Sequence, residues 1–316
     1  MRVETTAGKP KTVHRPAKPL PVEAMLEIGR RVTRGYGVLT ADHRPGPDFL
    51  LIGAKRGGTT SAYFHLLGHP DVLPLFPAAR FIPKQRDTKG IHYFDTGFEH
   101  GDRWYLSHFP TTGVRRRAAR RAGVMPLAGE SSPYYLFHPL AAERAHGLVP
   151  DARILVALRD PVERTFSHYR EQVRNGVETL PFEAALEAEA ERTAGEEGRL
   201  VAEPGYQSFA HEHQSFAGQS VYAPSLRRWL DLYPEERVMV WASEEYYADP
   251  TATIRRVCGF LGLAERDLPP IAPLNPAPPS QMPDDVRAAL VQRFAPDVAE
   301  VSSILGRRMP WPNFGG

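Results

Sequence analysis

The feature that most constrains the fold is an apolar run that leads directly into a glycine-rich turn. Residues 49–54 read FLLIGA after Pro47, and such continuous hydrophobicity is typical of a strand buried on both faces of a parallel sheet. Thr60 and Ser61 then begin a predicted helix, which ends at Gly68. A strand, a tight turn and a helix in this order predict an α/β fold, because such units pack their helices against a parallel sheet.

Two later segments repeat this arrangement. Residues 153–158 and residues 238–241 are further strand candidates, and each is followed by a predicted helix, at residues 162–173 and residues 251–261 respectively. The alternation of strands and helices predicts a parallel sheet that is covered by helices on both faces.

The chain divides into a short arm and one large domain. Residues 1–46 are predicted to form an N-terminal arm with a short helix at residues 22–36, and residues 47–316 are predicted to form the globular domain. Three later segments carry their own predictions: a helix over 182–199, an irregular stretch over 201–220 that could form part of a lid, and an ordered, proline-rich loop over 268–283 before a last helix at 284–294.

Composition excludes several classes of protein. The 39 basic and 37 acidic side chains nearly cancel, so the chain lacks the excess positive charge of a nucleic-acid-binding protein. The single cysteine, Cys258, excludes an internal disulfide and a cysteine-rich metal site, and it fits a reducing compartment. The N-terminus lacks the apolar core of a signal peptide, and no apolar run approaches the roughly 18 residues of a membrane span. We therefore expect a soluble, cytoplasmic protein.

The glycine-rich turn has the composition of a phosphate-binding loop. It reads GAKRGGTTS over residues 53–61, so backbone N–H groups and a helix N-terminus can surround an anion beside the cations Lys55 and Arg56. A nucleoside triphosphatase would carry a lysine at the position of Thr59. The loop is therefore predicted to hold a phosphate without the lysine that reads a triphosphate. The alternative is a glycine turn needed only for tight packing of strand and helix.

A second anion site is predicted at the end of the strand over 153–158. Arg159 leaves that strand at the carboxyl edge of the sheet, where parallel sheets bind ligands, and Ser167 follows about two helical turns later. An arginine and a hydroxyl in this placement suit a lone phosphate monoester. The alternative is that Arg159 pairs with Asp160 or Glu163 at the surface.

Together with two further stretches, these segments resemble the sulfotransferase superfamily, in particular the branch of the heparan-sulfate sulfotransferases and their bacterial relatives. The further stretches are KGIHYFD over residues 89–95 and GESSPYY over residues 129–135, and the similarity extends from about residue 49 to residue 263. The resemblance implies a P-loop-like, three-layer fold and the donor 3′-phosphoadenosine 5′-phosphosulfate. It also implies that Arg159 and Ser167 bind the 3′-phosphate of the donor. The 5′-phosphosulfate end would be bound by the first loop, through Lys55, Arg56, Gly57, Gly58, Thr59, Thr60 and Ser61.

The sequence departs from the family pattern at two catalytic positions. Arg56 stands where the resemblance implies a lysine that stabilises the leaving group, and Gly90 stands where it implies a carboxylate base. Arginine can stabilise a leaving phosphate but cannot act as a proton source. We predict His92 as the base, with Glu130 as the second candidate. The alternatives are a structural histidine bonded to backbone and a glutamate in a salt bridge. Weaker candidates for the base are Asp95, His211 and His213.

The predicted reaction is the transfer of a sulfonate to a hydroxyl or amine of a carbohydrate or small-molecule acceptor. Such a transfer needs in-line placement and positive donors at the leaving phosphate. The sequence shows no metal-ligand pattern, so no metal is expected. Two other functions stay open: a nucleotide or small-molecule kinase, against which Thr59 argues, and a nucleotide-binding relative with altered catalysis. The expected partners are thus a donor nucleotide and a glycan or small-molecule acceptor, while the oligomeric state cannot be predicted.

Overall fold

A parallel sheet forms the centre of the chain. The computed structural model describes residues 20–77, 89–268 and 281–315. In these residues the sheet has five strands, which are Phe49–Gly53 (β1), Val72–Leu73 (β2), Leu127–Glu130 (β3), Arg153–Leu158 (β4) and Val238–Ala242 (β5). They lie in the order β2-β3-β1-β4-β5, and each neighbouring pair is parallel.

Helices cover both faces of this sheet. In the described residues they are Leu20–Leu39 (α1), Thr59–Leu66 (α2), Asp102–Leu106 (α3), Thr112–Ala122 (α4), Ala141–Leu148 (α5), Pro161–Arg174 (α6), Phe182–Thr193 (α7), Glu196–Ala202 (α8), Ala223–Leu230 (α9), Ser243–Ala248 (α10), Pro250–Phe260 (α11) and Asp284–Leu305 (α12). Successive side chains of a strand point to opposite faces. Accordingly, Leu50 and Ile52 pack with residues of α5 and α9, whereas Phe49 and Leu51 pack with residues of α2 and α11. The predicted α/β fold with a doubly covered parallel sheet is confirmed.

Three neighbouring strands of the sheet were predictable, and the two at one edge were not. The structure confirms the predicted strands as β1, β4 and β5, which are mainly apolar and have five or six residues. Strand β2 has only two residues, and β3 has four, one of which is Gly129. A Cβ on Gly129 would lie 2.4 Å from the carbonyl oxygen of Phe49, so the close approach of β3 to β1 excludes the β-branched residues that identify a strand.

Three predicted helices have different bounds in the structure. The first helix runs over Leu20–Leu39 rather than residues 22–36. The segment at 182–199 is two helices, because Gly195 has a φ of 75° and separates α7 from α8. The last helix, α12, continues past Pro296 to Leu305, where a proline would usually end a helix. Buried Phe294 and Val301 flank this proline and hold the helix to the core.

Helix α1 connects the predicted arm to the rest of the chain. It packs against α3, where Arg34 Nη1 donates a hydrogen bond of 2.7 Å to Ser107 Oγ. Residues 1–19 of the predicted arm and most of the predicted loop at residues 268–283 lie outside the described residues. The division into an arm and a domain stays a prediction. Within the described ranges, no helix combines the length and apolarity needed to cross a membrane.

The sheet topology brings three segments together at one edge. Strands β1, β4 and β5 are neighbours and parallel, so their carboxyl ends lie side by side. Residues 54–58 follow β1, Arg159 follows β4 and Ser243 follows β5. Crevices at the carboxyl edge of such sheets are the usual ligand sites of open α/β folds.

Candidate active site

The turn from β1 to α2 is pressed against the end of β4. The Ala54 amide donates to the Ala157 carbonyl oxygen at 2.7 Å, and the Gly57 amide donates to the Ala54 carbonyl oxygen at 2.8 Å. A Cβ on Gly57 would lie 2.4 Å from the Ala157 oxygen, so only glycine allows this approach. Gly58 has a φ of 77°, which also favours glycine. Close packing thus accounts for both glycines, as the packing alternative predicted, and the same packing fixes the shape of the loop.

The loop keeps its helix N-terminus open for an anion. No side chain of the described residues caps the start of α2, and the N-terminus of a helix is a ready-made site for an anion. Thr59 and buried Ser61 lie in that turn with Thr60 between them. Because the macrodipole adds partial positive charge at this end, the predicted phosphate cradle is present as a geometric feature.

Two buried polar side chains clamp the loop to distant parts of the chain. Ser243 Oγ donates to the Gly57 carbonyl oxygen at 2.8 Å and lies 3.1 Å from the Leu158 carbonyl oxygen. Arg164 is fully buried and donates to the Lys55 carbonyl oxygen at 3.3 Å. Arg164 also bonds Ser220 Oγ and the Phe216 carbonyl oxygen, so the irregular stretch predicted at 201–220 is fastened to the loop. Its role as a lid stays a prediction.

The two cations of the loop point in different directions. Lys55 Nζ lies 3.3 Å from Glu212 Oε1 and 3.2 Å from the Glu212 carbonyl oxygen. Arg56 Nε donates to Ser167 Oγ at 3.1 Å, and Arg56 Nη1 pairs with Glu171 Oε1 at 2.5 Å. Arg56 therefore links the first predicted phosphate site to Ser167 of the second, although 111 residues separate the two in sequence.

Arg159 has no acidic partner in the described residues. The alternative prediction paired it with Asp160 or Glu163, but Asp160 instead caps α6 and accepts bonds from Asn313, and Glu163 pairs with Arg287 at 2.6 Å. The surface-pair alternative is therefore wrong. An arginine at a strand end without an ion-pair partner among the described residues is available to bind an anion.

His92 and Asp95 form a hydrogen-bonded pair. His92 Nδ1 lies 2.8 Å from Asp95 Oδ2, and the His92 amide donates to Ser132 Oγ at 2.9 Å. Burial alone would lower the pKa of His92, but the nearby carboxylates of Asp95, Glu130 and Glu212 outweigh it, so the pKa is raised above its usual value. The His92 side chain is 42% exposed while that of Asp95 is fully buried, and Nε2 has no partner among the described residues. The ring of His92 is therefore bonded to a carboxylate. The alternative of a structural histidine predicted a bond to backbone instead.

Glu130 is a buried acceptor for four donors. It accepts bonds from the Ile91 amide at 2.8 Å, Ser132 Oγ at 2.6 Å, Tyr135 Oη at 2.9 Å and Tyr105 Oη at 3.0 Å. These bonds occupy both carboxylate oxygens, and burial raises the pKa of Glu130 despite them. No arginine pairs with it in the described residues, where four hydrogen-bond donors surround the carboxylate instead. With its lone pairs engaged, Glu130 is poorly placed to take a proton from an acceptor, and its role as the second candidate base stays untested.

The vacated carboxylate position is sterically closed. A Cβ on Gly90 would lie 2.7 Å from the Ser131 carbonyl oxygen, 2.9 Å from Ser132 Oγ and 3.3 Å from His92 Nε2. Distances under 3.0 Å to backbone require the structure to shift. Residue 90 therefore lacks both a carboxylate and the room for one.

Two site residues were not identified from the sequence. Lys89 Nζ donates to Thr59 Oγ1 and Thr60 Oγ1, each at 2.9 Å, and so lies on the phosphate loop. Tyr247 lies over Gly58, because a Cβ there would be 3.0 Å from the Tyr247 hydroxyl oxygen. For Lys89 a signal existed, since it begins the stretch that contains His92. For Tyr247, 51% exposed on α10, the sequence offers no local signal.

The weaker histidine candidates are bound to other partners. His211 is buried and its Nδ1 bonds Tyr134 Oη at 2.7 Å, while His213 lies 3.7 Å from Glu212. Within the described ranges, no group of three or more side chains has the arrangement of a metal site.

Backbone conformation singles out two of the predicted catalytic residues. Among the described residues, Arg56 and His92 are the non-glycine residues with positive φ, at 73° and 55°. Such conformations cost energy in residues with a Cβ, and they persist mainly where the surroundings enforce them, often at functional sites. A profile of the sulfotransferase family matches residues 47–267, well over half of the chain. The chain belongs to the sulfotransferase family.

Individual sulfotransferases resemble the chain over most of its length. The membrane-associated sulfotransferase kil1 of Dictyostelium discoideum is 22% identical, over 84% of this chain and 67% of its own length. A heparan sulfate glucosamine 3-O-sulfotransferase of Mus musculus, number 6 of its series, is 27% identical over 83% of this chain, which spans only 64% of that protein. A crystal structure of a sulfotransferase from Alicyclobacillus acidocaldarius is 30% identical, covers 84% of this chain and 98% of its own, and has a TM-score of 0.61.

These findings confirm the predicted family, fold and class of activity. The protein is an enzyme that transfers a sulfonate group, and its fold is that of the sulfotransferase from Alicyclobacillus acidocaldarius, with the P-loop-like phosphate turn at the end of β1. They favour sulfonyl transfer over the kinase alternative, in agreement with Thr59 in place of a triphosphate-reading lysine.

Proposed function

We propose that this sulfotransferase takes the sulfonate from 3′-phosphoadenosine 5′-phosphosulfate and transfers it to a hydroxyl or amine of a carbohydrate or small-molecule acceptor. The observation that carries the donor is the bond of 3.1 Å between Arg56 and Ser167. It joins two anion sites that lie far apart in sequence, as a nucleotide with a 5′ and a 3′ phosphate requires. A ligand with one phosphate would need only one of them.

The residues present fit such a donor. The uncapped N-terminus of α2 suits the 5′ end, and Ser167 with Arg159, which lacks an acidic partner in the described residues, suits the 3′-phosphate. When bound, the donor supplies an activated sulfonate on a phosphate leaving group. The protein supplies placement and positive charge, which are the main needs of such a transfer.

His92 is the proposed base on the acceptor side. With Nδ1–H donated to Asp95, the lone pair of Nε2 is free to take the proton of an acceptor hydroxyl. Asp95 holds this tautomer and stabilises the imidazolium that forms, as carboxylates paired with catalytic histidines do. General-base assistance of this kind is typically worth about 10²–10⁴-fold in rate.

A sugar hydroxyl is the acceptor we favour within this class. The relative from Mus musculus is named for transfer to a 3-hydroxyl of glucosamine in heparan sulfate, and this chain resembles it over most of its own length. Since the chain spans only part of that relative, the acceptor is a matter for experiment. A cytoplasmic location likewise stays a prediction from the sequence.

Donor binding can be tested directly with the product nucleotide. We expect adenosine 3′,5′-bisphosphate to raise the melting temperature of the purified protein and Arg159→Ala to lose most of this shift. Losing a hydrogen bond to a charged phosphate costs about 1.5–3 kcal/mol, or roughly 10- to 150-fold in affinity. Arg227→Ala is the matched control, because Arg227 is an exposed arginine paired with Glu300. An equal shift in all three proteins would refute the assignment of the 3′-phosphate site.

Transfer itself can be tested with labelled donor and a panel of glycans and small alcohols and amines. Label in any acceptor supports the proposed reaction. If the protein binds the nucleotide but labels no member of a broad panel, the alternative of a nucleotide-binding relative with altered catalysis gains support.

A further inference from the structure

Lys89 lies on the phosphate loop and forms no ion pair with a carboxylate of the described residues. Its ammonium donates to the hydroxyl oxygens of Thr59 and Thr60, which leaves one of its three N–H donors unused by these bonds. No carboxylate of the described residues lies within ion-pair distance of Nζ, although the side chain is partly buried. A cation removed from water without a partner is unfavourable by itself and is stabilised when an anion binds beside it.

Arg56, in contrast, is already paired on the other side of the loop. Its guanidinium bonds Ser167 and Glu171, both on α6, and the side chains of the ion pair are 16% and 21% exposed. Its charge is therefore compensated, and it faces the proposed 3′-phosphate site. Lys89 faces the first turn of α2, where the 5′ end is proposed to bind.

The segment that carries Lys89 also carries the proposed base. The Ser131 amide donates to the Lys89 carbonyl oxygen at 2.8 Å, and the His92 amide donates to Ser132 Oγ at 2.9 Å. Residues 89–92 are thus fastened beside the end of β3, with Lys89 toward the phosphate loop and His92 three residues further on. One short segment presents a cation and a base to the same region.

We propose that Lys89, and not Arg56, is the catalytic cation that stabilises the leaving phosphate. The proposal rests on the donor proposed above. Lys89 would donate to the bridging oxygen while that oxygen keeps the electron pair of its bond to sulfur. His92 would accept the proton that the acceptor oxygen gives up as it bonds to sulfur. Arg56 would hold the 3′-phosphate side together with Ser167.

The charge of Lys89 should depend on the nucleotide. Burial lowers the pKa of Lys89 to about 7. The carboxylates of Glu171 on α6 and Glu130 on β3 raise the pKa of Lys89, and the guanidinium of Arg56 on the loop lowers it further. At pH 8 most of the free protein therefore carries neutral Lys89. A bound phosphate favours the ammonium form, so binding at pH 8 should be accompanied by uptake of a proton.

Calorimetry tests this coupling without any turnover. Adenosine 3′,5′-bisphosphate is titrated at pH 8 into the wild type, Lys89→Arg and Lys89→Met, in two buffers that differ in heat of ionisation. We expect the wild type to take up close to one proton and both variants to take up essentially none, with Lys89→Met binding about tenfold or more weakly. Lys89→Arg keeps the charge at all these pH values, so it separates the proton effect from loss of affinity.

Two results would overturn the assignment: nucleotide affinity of Lys89→Met equal to that of the wild type, or proton uptake by Lys89→Met equal to that of the wild type. A wild type that does not bind the nucleotide at all would refute the donor itself, and with it the role of Lys89. The donor assignment and the lysine assignment therefore fail in different ways.

Measurements of kcat then show which of the two cations, Lys89 or Arg56, contributes more to the transfer step. Removing one preorganised donor to a developing charge costs about 10²–10³-fold in kcat, which we expect for Lys89→Met. Arg56→Gln should act mainly on nucleotide affinity, with less than about a tenfold change in kcat. Melting temperatures identify variants that fail to fold. If both variants fold and Arg56→Gln loses more kcat than Lys89→Met, Arg56 is the cation that stabilises the leaving phosphate.

Discussion

A side chain introduced at residue 90 tests whether this position, where the family resemblance implies a carboxylate, can hold one in this structure. In Gly90→Ala the new Cβ would lie 2.7 Å from the Ser131 carbonyl oxygen and 2.9 Å from Ser132 Oγ. Overpacking of this kind typically costs about 1–3 kcal/mol. Since Ser131 and Ser132 also fasten Lys89 and His92, the relief of this clash should displace both.

We therefore expect Gly90→Ala to lower the free energy of unfolding by about 1–3 kcal/mol, measured by urea denaturation, and to lower kcat as well. Gly90→Glu should be no more active than Gly90→Ala, because its Cβ makes the same close contacts and forces the same displacement. Gly147→Ala is the matched control, since an added Cβ there meets nothing within 4 Å. Gly147 lies inside α5, where alanine is about 0.5–1 kcal/mol more favourable than glycine.

The expectation for Gly90 can be refuted in two ways. Wild-type stability of Gly90→Ala would show that the segment accommodates a side chain freely. A rise in turnover on Gly90→Glu would show that residue 90 still points at the acceptor, and that His92 is a substitute for a missing carboxylate rather than part of a rebuilt site.

Two further substitutions separate the candidate bases. Asp95→Asn removes the charge that outweighs burial at His92, so the pKa of His92 should fall. Because the base must be neutral to accept a proton, the pH at which kcat/KM rises should move to a lower value. If that pH is unchanged, His92 is excluded as the titrating group. Glu130→Gln leaves donors unpaired around a buried side chain and should cost about 1–3 kcal/mol of stability in urea. A large loss of turnover at unchanged stability would instead make Glu130 the base.

Much of the fold could be predicted because its signals are local. Residues 154–158 are apolar throughout and are soon followed by a proline-initiated helix, so both the strand and the helix have clear sequence signals. Strand β3 could not be predicted, because its contact with β1 demands a glycine where a β-branched residue would signal a strand. Helices α7 and α8 looked like one helix, since a single glycine in an Ala- and Glu-rich run has little weight in a pattern.

The site was only half predictable for the same reason. The phosphate loop and Arg159 follow strands directly, so their place at the carboxyl edge follows from the fold. The partners of Arg56 depend on tertiary structure, because Ser167 and Glu171 approach it from a helix more than 100 residues away. The contact of Lys89 with Thr59 and Thr60 likewise depends on how its segment is fastened to β3. No local pattern encodes such contacts.

The clamp on the phosphate loop also bears on the order in which the enzyme can be assembled. Gly57 is held by Ser243, which is 186 residues later in the chain, and Lys55 is held by Arg164, which is 109 residues later. Chains are synthesised from the N-terminus, so the ribosome delivers the loop long before either clamp. A fragment that stops short of Ser243 would contain every glycine of the loop and still lack its shape. Nucleotide binding should therefore arise late and in one step, as a property of the completed sheet.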